Sequence, residues 1–167
     1  KDNQFIVGES AQGKIIVMGF SDDVPHVGVF GASGGGKSVT VKTILAQMSR
    51  AGNSLVLVDG KWGSELSPLD CLDGVAAPTA FTEDEITAAF TWVVSQMESR
   101  YGALRRRESI TKLPRIVVAC DEFQDFSQEA KDLLSRVLRQ GRAVKINCLV
   151  STQHPILAGF GDSTGRR

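Results

Sequence analysis

Val27-Gly28-Val29-Phe30-Gly31-Ala32-Ser33-Gly34-Gly35-Gly36-Lys37-Ser38 joins a short apolar run to a glycine cluster that closes in Lys-Ser. The run has the composition of a strand, and the last eight residues fit the Walker A pattern of a phosphate-binding loop. An anion held by backbone N–H groups needs a chain that can turn them inward and come close. Glycine, lacking Cβ, permits both. Gly31, Ala32, Ser33, Gly34, Gly35, Gly36, Lys37, Ser38 and Val39 are therefore the candidate nucleotide-binding residues. Lys37 would reach the β- and γ-phosphates of ATP, and the Ser38 hydroxyl would ligate Mg²⁺. A mere glycine linker would need neither the strand before the cluster nor the amphipathic run after it.

Working outward, Val41, Ile44, Leu45 and Met48 fall at helical spacing, and Gly52-Asn53 supplies a stop. The continuous apolar run 55–58, ended by Asp59, reads as a parallel strand covered on both faces, with a loop over 60–73 behind it. Thr82 and Glu85 form a capping-box pair ahead of a long helix carrying Ile86, Phe90, Val93, Val94, Met97 and Tyr101. Residues 116–120 make a further apolar strand. Ser127 caps a helix with Leu133, Leu134, Val137 and Leu138 that ends at Gly141, and residues 144–151 form the next strand. Ile15-Ile16-Val17 is a short strand upstream of the glycine loop. This alternation predicts one α/β domain over residues 1–167, a mostly parallel, doubly wound sheet flanked by helices.

Asp121 closes the strand over 116–120, where a Walker B carboxylate faces the Mg²⁺ at the sheet's C-terminal edge. Glu122, one step on, is placed to polarise or deprotonate the attacking water. The plainer reading of the pair is an acidic turn that caps the following helix. Gln153 ends the last strand and is a candidate sensor of the γ-phosphate or the water; an ordinary loop glutamine is the alternative. Arg139 and Arg142 lie between the Ser127 helix and the last strand. Either could meet transition-state charge in a neighbouring subunit, although cations at a helix C-terminus are also favourable on local grounds.

With 167 residues, 42% of them hydrophobic, the chain is long enough to bury one core. Nineteen basic and nineteen acidic residues cancel, so any polymer contact must be local. Arg105-Arg106-Arg107 is the densest basic run and reads first as a solvated turn. Cys71, Cys120 and Cys148 have neither disulfide parity nor metal-ligand spacing, which suits reduced thiols and a cytoplasmic location. No apolar run reaches the roughly 18 residues of a membrane span, and a start at Lys1 suggests a piece of a longer protein. His26 and Trp62 read as structural.

Five stretches together resemble the FtsK/SpoIIIE family of RecA-like motor ATPases. They are residues 25–31 running into the glycine loop, Val58-Asp59-Gly60-Lys61 with Glu65-Leu66, and Met97-Glu98-Ser99-Arg100-Tyr101. The remaining two are residues 113–118 with Asp121-Glu122-Phe123, and Gly141-Arg142-Ala143 with Ser151-Thr152-Gln153-His154-Pro155. Gly60 replaces the family's usual proline, an extra residue precedes Glu65, and His154 stands for a common arginine. The resemblance implies a RecA-like P-loop fold, here cut short at its C-terminal end. It further implies ATP hydrolysis with Mg²⁺, assembly into a ring, a hexamer, and non-specific translocation of double-stranded DNA in chromosome partition or conjugation. The family's secretion branch implies a protein cargo instead. A nucleotide-gated assembly module without turnover is the reading from another class.

Overall fold

The computed structural model describes residues 3–153. Four strands, β3 (Val27–Phe30), β4 (Ser54–Asp59), β5 (Ile116–Asp121) and β6 (Ile146–Thr152), form a parallel sheet in the order β3-β6-β5-β4. Helices α1 (Lys37–Arg50), α2 (Glu83–Arg105) and α3 (Gln128–Gln140) are the crossovers between strands successive in sequence. Because neighbouring side chains on a strand point to opposite faces, the apolar runs serve two cores at once. Leu55, Leu57, Val117, Ala119 and Leu149 pack with Val41, Ile44, Leu45 and Met48 of α1. Val56, Val58, Val118, Cys120, Cys148 and Val150 pack with Phe90, Val93 and Met97 of α2 and Leu134 and Val137 of α3. The sheet is thus doubly wound, as the alternation predicts. No helix among the described residues is long and apolar enough to cross a membrane.

Local signals set most boundaries. Thr82 Oγ1 accepts the Glu85 N–H while Glu85 accepts the Thr82 N–H, so the capping box forms as read. Ser127 accepts the Ala130 N–H and starts α3. The bounds of the last strand are corrected, and two other readings are extended. The strand at Ile15 lies outside the main sheet: β2 (Ile15–Gly19) pairs antiparallel with β1 (Gln4–Glu9), a strand whose short, weakly alternating sequence gave no clear signal. The last strand begins at Ile146 and ends at Thr152, because residues 142–144 make a tight 3-10 turn and Lys145 takes a left-handed conformation, φ 60°. Gln153 therefore sits one residue beyond the strand. Within the 60–73 loop, Ser67–Leu69 forms a further 3-10 turn.

The Met-Glu-x-Arg-Tyr stretch turns out to be a fastener. Buried Arg100 donates to the carbonyls of Val144 and Pro114 at 2.8 Å each and of Lys145 at 3.3 Å, and the Tyr101 hydroxyl donates to Gln140 O at 2.7 Å. Arg100 thus ties the last turns of α2 to the entrances of β5 and β6, and Tyr101 ties them to the end of α3. His26 joins the same neighbourhood: its Nε2 bonds Leu138 O at 2.8 Å and its Nδ1 accepts the Cys148 N–H at 3.0 Å. The three cysteines are free, and burial pushes the Cys148 thiol up to about 12.

Candidate active site

The strand register brings the chemistry-bearing residues to one edge. Phe30 pairs with Thr152, Ser151 with Asp121, and Asp121 with Asp59, so the C-terminal ends of all four strands are level. The glycine loop leaves β3, the two carboxylates leave β5, and β6 lies between them. This is why Thr152 and Gln153 come to rest between loop and carboxylates. Gly34 and Gly36 hold φ near +80°, conformations an L side chain resists, and a Cβ on either would project into open space. Gly36 is also the N-cap of α1. The loop's N–H groups and the helix N-terminus thus converge as an anion cradle. Together with Lys42, Lys61, Glu65 and Gln153, it lines a cleft of about 450 Å³. A larger groove of about 540 Å³ beside Pro78 and Trp92 is mostly apolar and contains no residue of the loop.

Lys37 is buried and its Nζ stands 3.3 Å from Asp121 Oδ1 and 3.1 Å from Glu122 Oε1. Glu122 is 1% exposed. Its Oε1 also meets Lys61 Nζ at 2.9 Å, and its Oε2 accepts from Gln124 at 2.6 Å, Thr152 at 3.2 Å and the Gln153 N–H at 3.0 Å. Burial pushes this carboxyl up. The bonds from Gln124, Lys61, Gln153 and Lys37 together outweigh burial and hold it well below the usual carboxylate range. The same pair raises the Lys61 ammonium. Glu122 has φ 49°, a left-handed backbone uncommon for a residue with a side chain and often associated with functional sites.

Asp121 accepts from Lys37 and Ser151 through Oδ1, while its Oδ2 is buried with no hydrogen-bond partner. A buried orphan acceptor at this edge fits a Mg²⁺ ligand, since an acceptor left dry and unpaired is costly. Magnesium asks little more of a protein than one or two oxygens beside the substrate phosphates. Ser38, the other expected ligand, is the second residue of α1 and lines the same cleft as Glu65, whose carboxyl is held below its ordinary value chiefly by Lys42 at 3.1 Å. Gln153 lies at the site, its Oε1 accepting from Ser33 Oγ at 2.7 Å. Val39 is largely exposed beside the loop.

Not every expected residue joins them. Arg142 is exposed, 3.5 Å from Asp22, and Arg139 is exposed at the end of α3. Both flank the entrance of β6, a seven-residue strand whose far end carries the site, which puts them roughly 20 Å away in the same chain. Of the basic run, Arg106 pairs with Glu108 at 2.7 Å. His154 and Pro155 lie outside the described residues. Sequence reasoning missed Lys61, Thr152 and Gln124 as site residues. Each is within three residues of a strand end that reaches the edge, a signal usable only once the strand order is known.

The profile of the FtsK/SpoIIIE family matches residues 2–111, more than half of the chain. The chain belongs to the FtsK/SpoIIIE family. The matched span includes the P-loop and stops before Asp121. Curated relatives extend further: DNA translocase FtsK of Leptospira interrogans is 24% identical over 93% of this chain, and DNA translocase SftA of Bacillus subtilis is 32% identical over 79%. The chain spans 19% and 16% of their respective lengths. Among solved structures, the pCW3 conjugation coupling protein TcpA, in a form with ATPγS, superposes with a TM-score of 0.78 at 22% identity. That match covers 93% of this chain and 49% of TcpA. The type VII secretion ATPase EccC of Thermomonospora curvata gives 0.79 at 20% identity, covering 95% and 22%. At these identities the superpositions establish the RecA-like P-loop fold.

Proposed function

We propose that this FtsK/SpoIIIE-family chain binds ATP with Mg²⁺ and hydrolyses it, and that hydrolysis in a ring of such subunits, a hexamer, drives translocation of double-stranded DNA. The observation that carries the reading is the meeting of Lys37, Asp121 and Glu122 beside the glycine loop.

In this reading the N–H groups of residues 31–38 take the phosphates, and Lys37 exchanges its carboxylate partners for the β- and γ-phosphates. Ser38 and Asp121 Oδ2 would hold Mg²⁺, whose charge would offset that of the phosphates. Glu122 orients a water molecule toward the γ-phosphorus. The water oxygen forms the new P–O bond as the bond to the β,γ-bridging oxygen breaks, and the water's proton passes through Glu122 to solvent, giving ADP, phosphate and one proton. Gln153 senses the γ-phosphate through the loop it already touches at Ser33. The DNA reading is supported by the chain's relatives, the DNA translocases FtsK and SftA.

ATPase rate measured with and without duplex DNA tests the whole. Turnover stimulated by unrelated duplexes alike, and less so at high salt, is the expected outcome. No turnover would leave the assembly-module reading, and turnover indifferent to DNA would favour a protein cargo. In the same preparation, Lys37→Ala loses nucleotide binding, and Glu122→Gln retains it while hydrolysis slows by about 10²-fold or more.

A further inference from the structure

Two lysines stand on one oxygen of Glu122. Lys37 Nζ is 3.1 Å from Oε1 and Lys61 Nζ is 2.9 Å from it. Lys37 leaves for the phosphates under the ATP-hydrolysis reading, on which this inference rests, so only one of the two cations can stay with the carboxylate. The other contacts of Glu122, from Gln124, Thr152 and the Gln153 N–H, are neutral donors, and all fall on Oε2. With Lys37 engaged elsewhere, Oε1 would depend on Lys61 alone among the described partners. A carboxylate 1% exposed cannot turn to bulk water for compensation.

We propose that Lys61 is a positioning residue of this site, keeping the Glu122 carboxylate aimed for the attacking water after Lys37 has moved to the nucleotide. The loop that carries Lys61 is built for the purpose. Fully buried Asp59 accepts the Lys61 N–H at 2.7 Å through Oδ1, and the Glu65 and Leu66 N–H groups at 2.8 and 3.0 Å through Oδ2. Gly60 N–H donates to Asp121 O at 3.0 Å, and a Cβ at Gly60 would lie 2.8 Å from Glu122 O. The loop is therefore fastened to the backbone of the same two carboxylates. Here the family's usual proline could not donate that bond. An ion pair with one partner fully buried also differs from an exposed surface pair, whose contribution is small.

The test compares Lys61→Met, which keeps the stem and removes the charge, with Lys61→Arg, each alone and in a Glu122→Gln background, using the full chain. Fluorescent-ATP titration gives nucleotide affinity, and single-turnover hydrolysis gives the chemical step. The expected result is affinity within about twofold of the starting protein, hydrolysis slowed roughly 10- to 100-fold in Lys61→Met, substantial recovery in Lys61→Arg, and no further loss when Lys61→Met is added to Glu122→Gln. Undiminished hydrolysis in Lys61→Met overturns the proposal. So does an additive loss on top of Glu122→Gln, which would put Lys61 on the phosphates themselves. Should Lys61→Met misfold, Lys61→Gln carries the same comparison. A starting protein that binds but never hydrolyses ATP removes the enzymatic reading itself, an outcome distinct from hydrolysis indifferent to Lys61.

Discussion

Asp59→Asn is a one-atom change at the root of the loop that reaches the site, and its cost can be worked out from the bonds it disturbs. The carboxylate takes one N–H, that of Lys61, on Oδ1 and two, those of Glu65 and Leu66, on Oδ2. An amide offers one oxygen and one NH₂. The cheaper orientation keeps the oxygen on the Glu65 and Leu66 pair and turns the NH₂ against the Lys61 N–H, where two donors now face each other. One bond to a charged acceptor, worth about 1.5–3 kcal/mol, is lost and two weaken. Removing a buried negative charge returns part of that. The net loss comes to about 3 kcal/mol, which for a domain of this size lowers Tm by roughly 6–12 °C. Thermal unfolding followed by circular dichroism measures it. Because the bond that breaks is the one under Lys61, hydrolysis should slow while nucleotide affinity holds. A Tm within about 2 °C of the starting protein would show that Asp59 does not clamp this loop, and the case for a built position of Lys61 would lose its base.

Arg100→Met should cost about 3–5 kcal/mol in urea unfolding, since it strips three carbonyls of a buried cationic donor; a loss under about 1 kcal/mol would return that arginine to a functional role. Burial lowers the His26 pKa below 6.5, outweighing the bond to Leu138 that raises it, so the neutral ring contributes stability that is present above the unfolded value and is lost as pH falls through the folded one. Chemical unfolding at pH 7 and pH 5 should show this loss, and His26→Gln should flatten it. Specific ATPase activity should rise with protein concentration, and mixing Arg142→Ala with Lys37→Ala subunits should restore part of it if Arg142 completes a neighbour's site. If activity is independent of dilution and unaffected in both Arg142→Ala and Arg139→Ala, charge stabilisation lies elsewhere.

What could be read along the chain was whatever a local signal encodes. The glycine loop, the capping box at Thr82, the stop at Gly52 and the apolar runs ending in Asp59 and Asp121 each announce themselves within a few residues, and the parallel sheet follows from their alternation. The hairpin strand β1 did not, because a six-residue edge with one buried side chain has almost no period to detect. The site divides the same way. Lys37, Ser38, Asp121 and Glu122 belong to motifs continuous in sequence. Lys61 becomes a neighbour of Glu122 only because β4 pairs with β5 in a register that sets Asp59 opposite Asp121, and Thr152 only because β6 inserts between β3 and β5. Strand order is a long-range property that apolar periodicity does not carry. The consequence extends to the resemblance: of its five stretches, Arg100 fastens α2 to two strand entrances and Tyr101 fastens it to the end of α3, while Lys61 of the Asp-Gly-Lys stretch reaches the carboxylate beside which ATP would be cleaved. A family motif therefore has to be sorted by where the sheet delivers it, and that sorting separates Arg100→Met, expected to lower the stability of the domain, from Lys61→Met, expected to leave stability intact and slow hydrolysis.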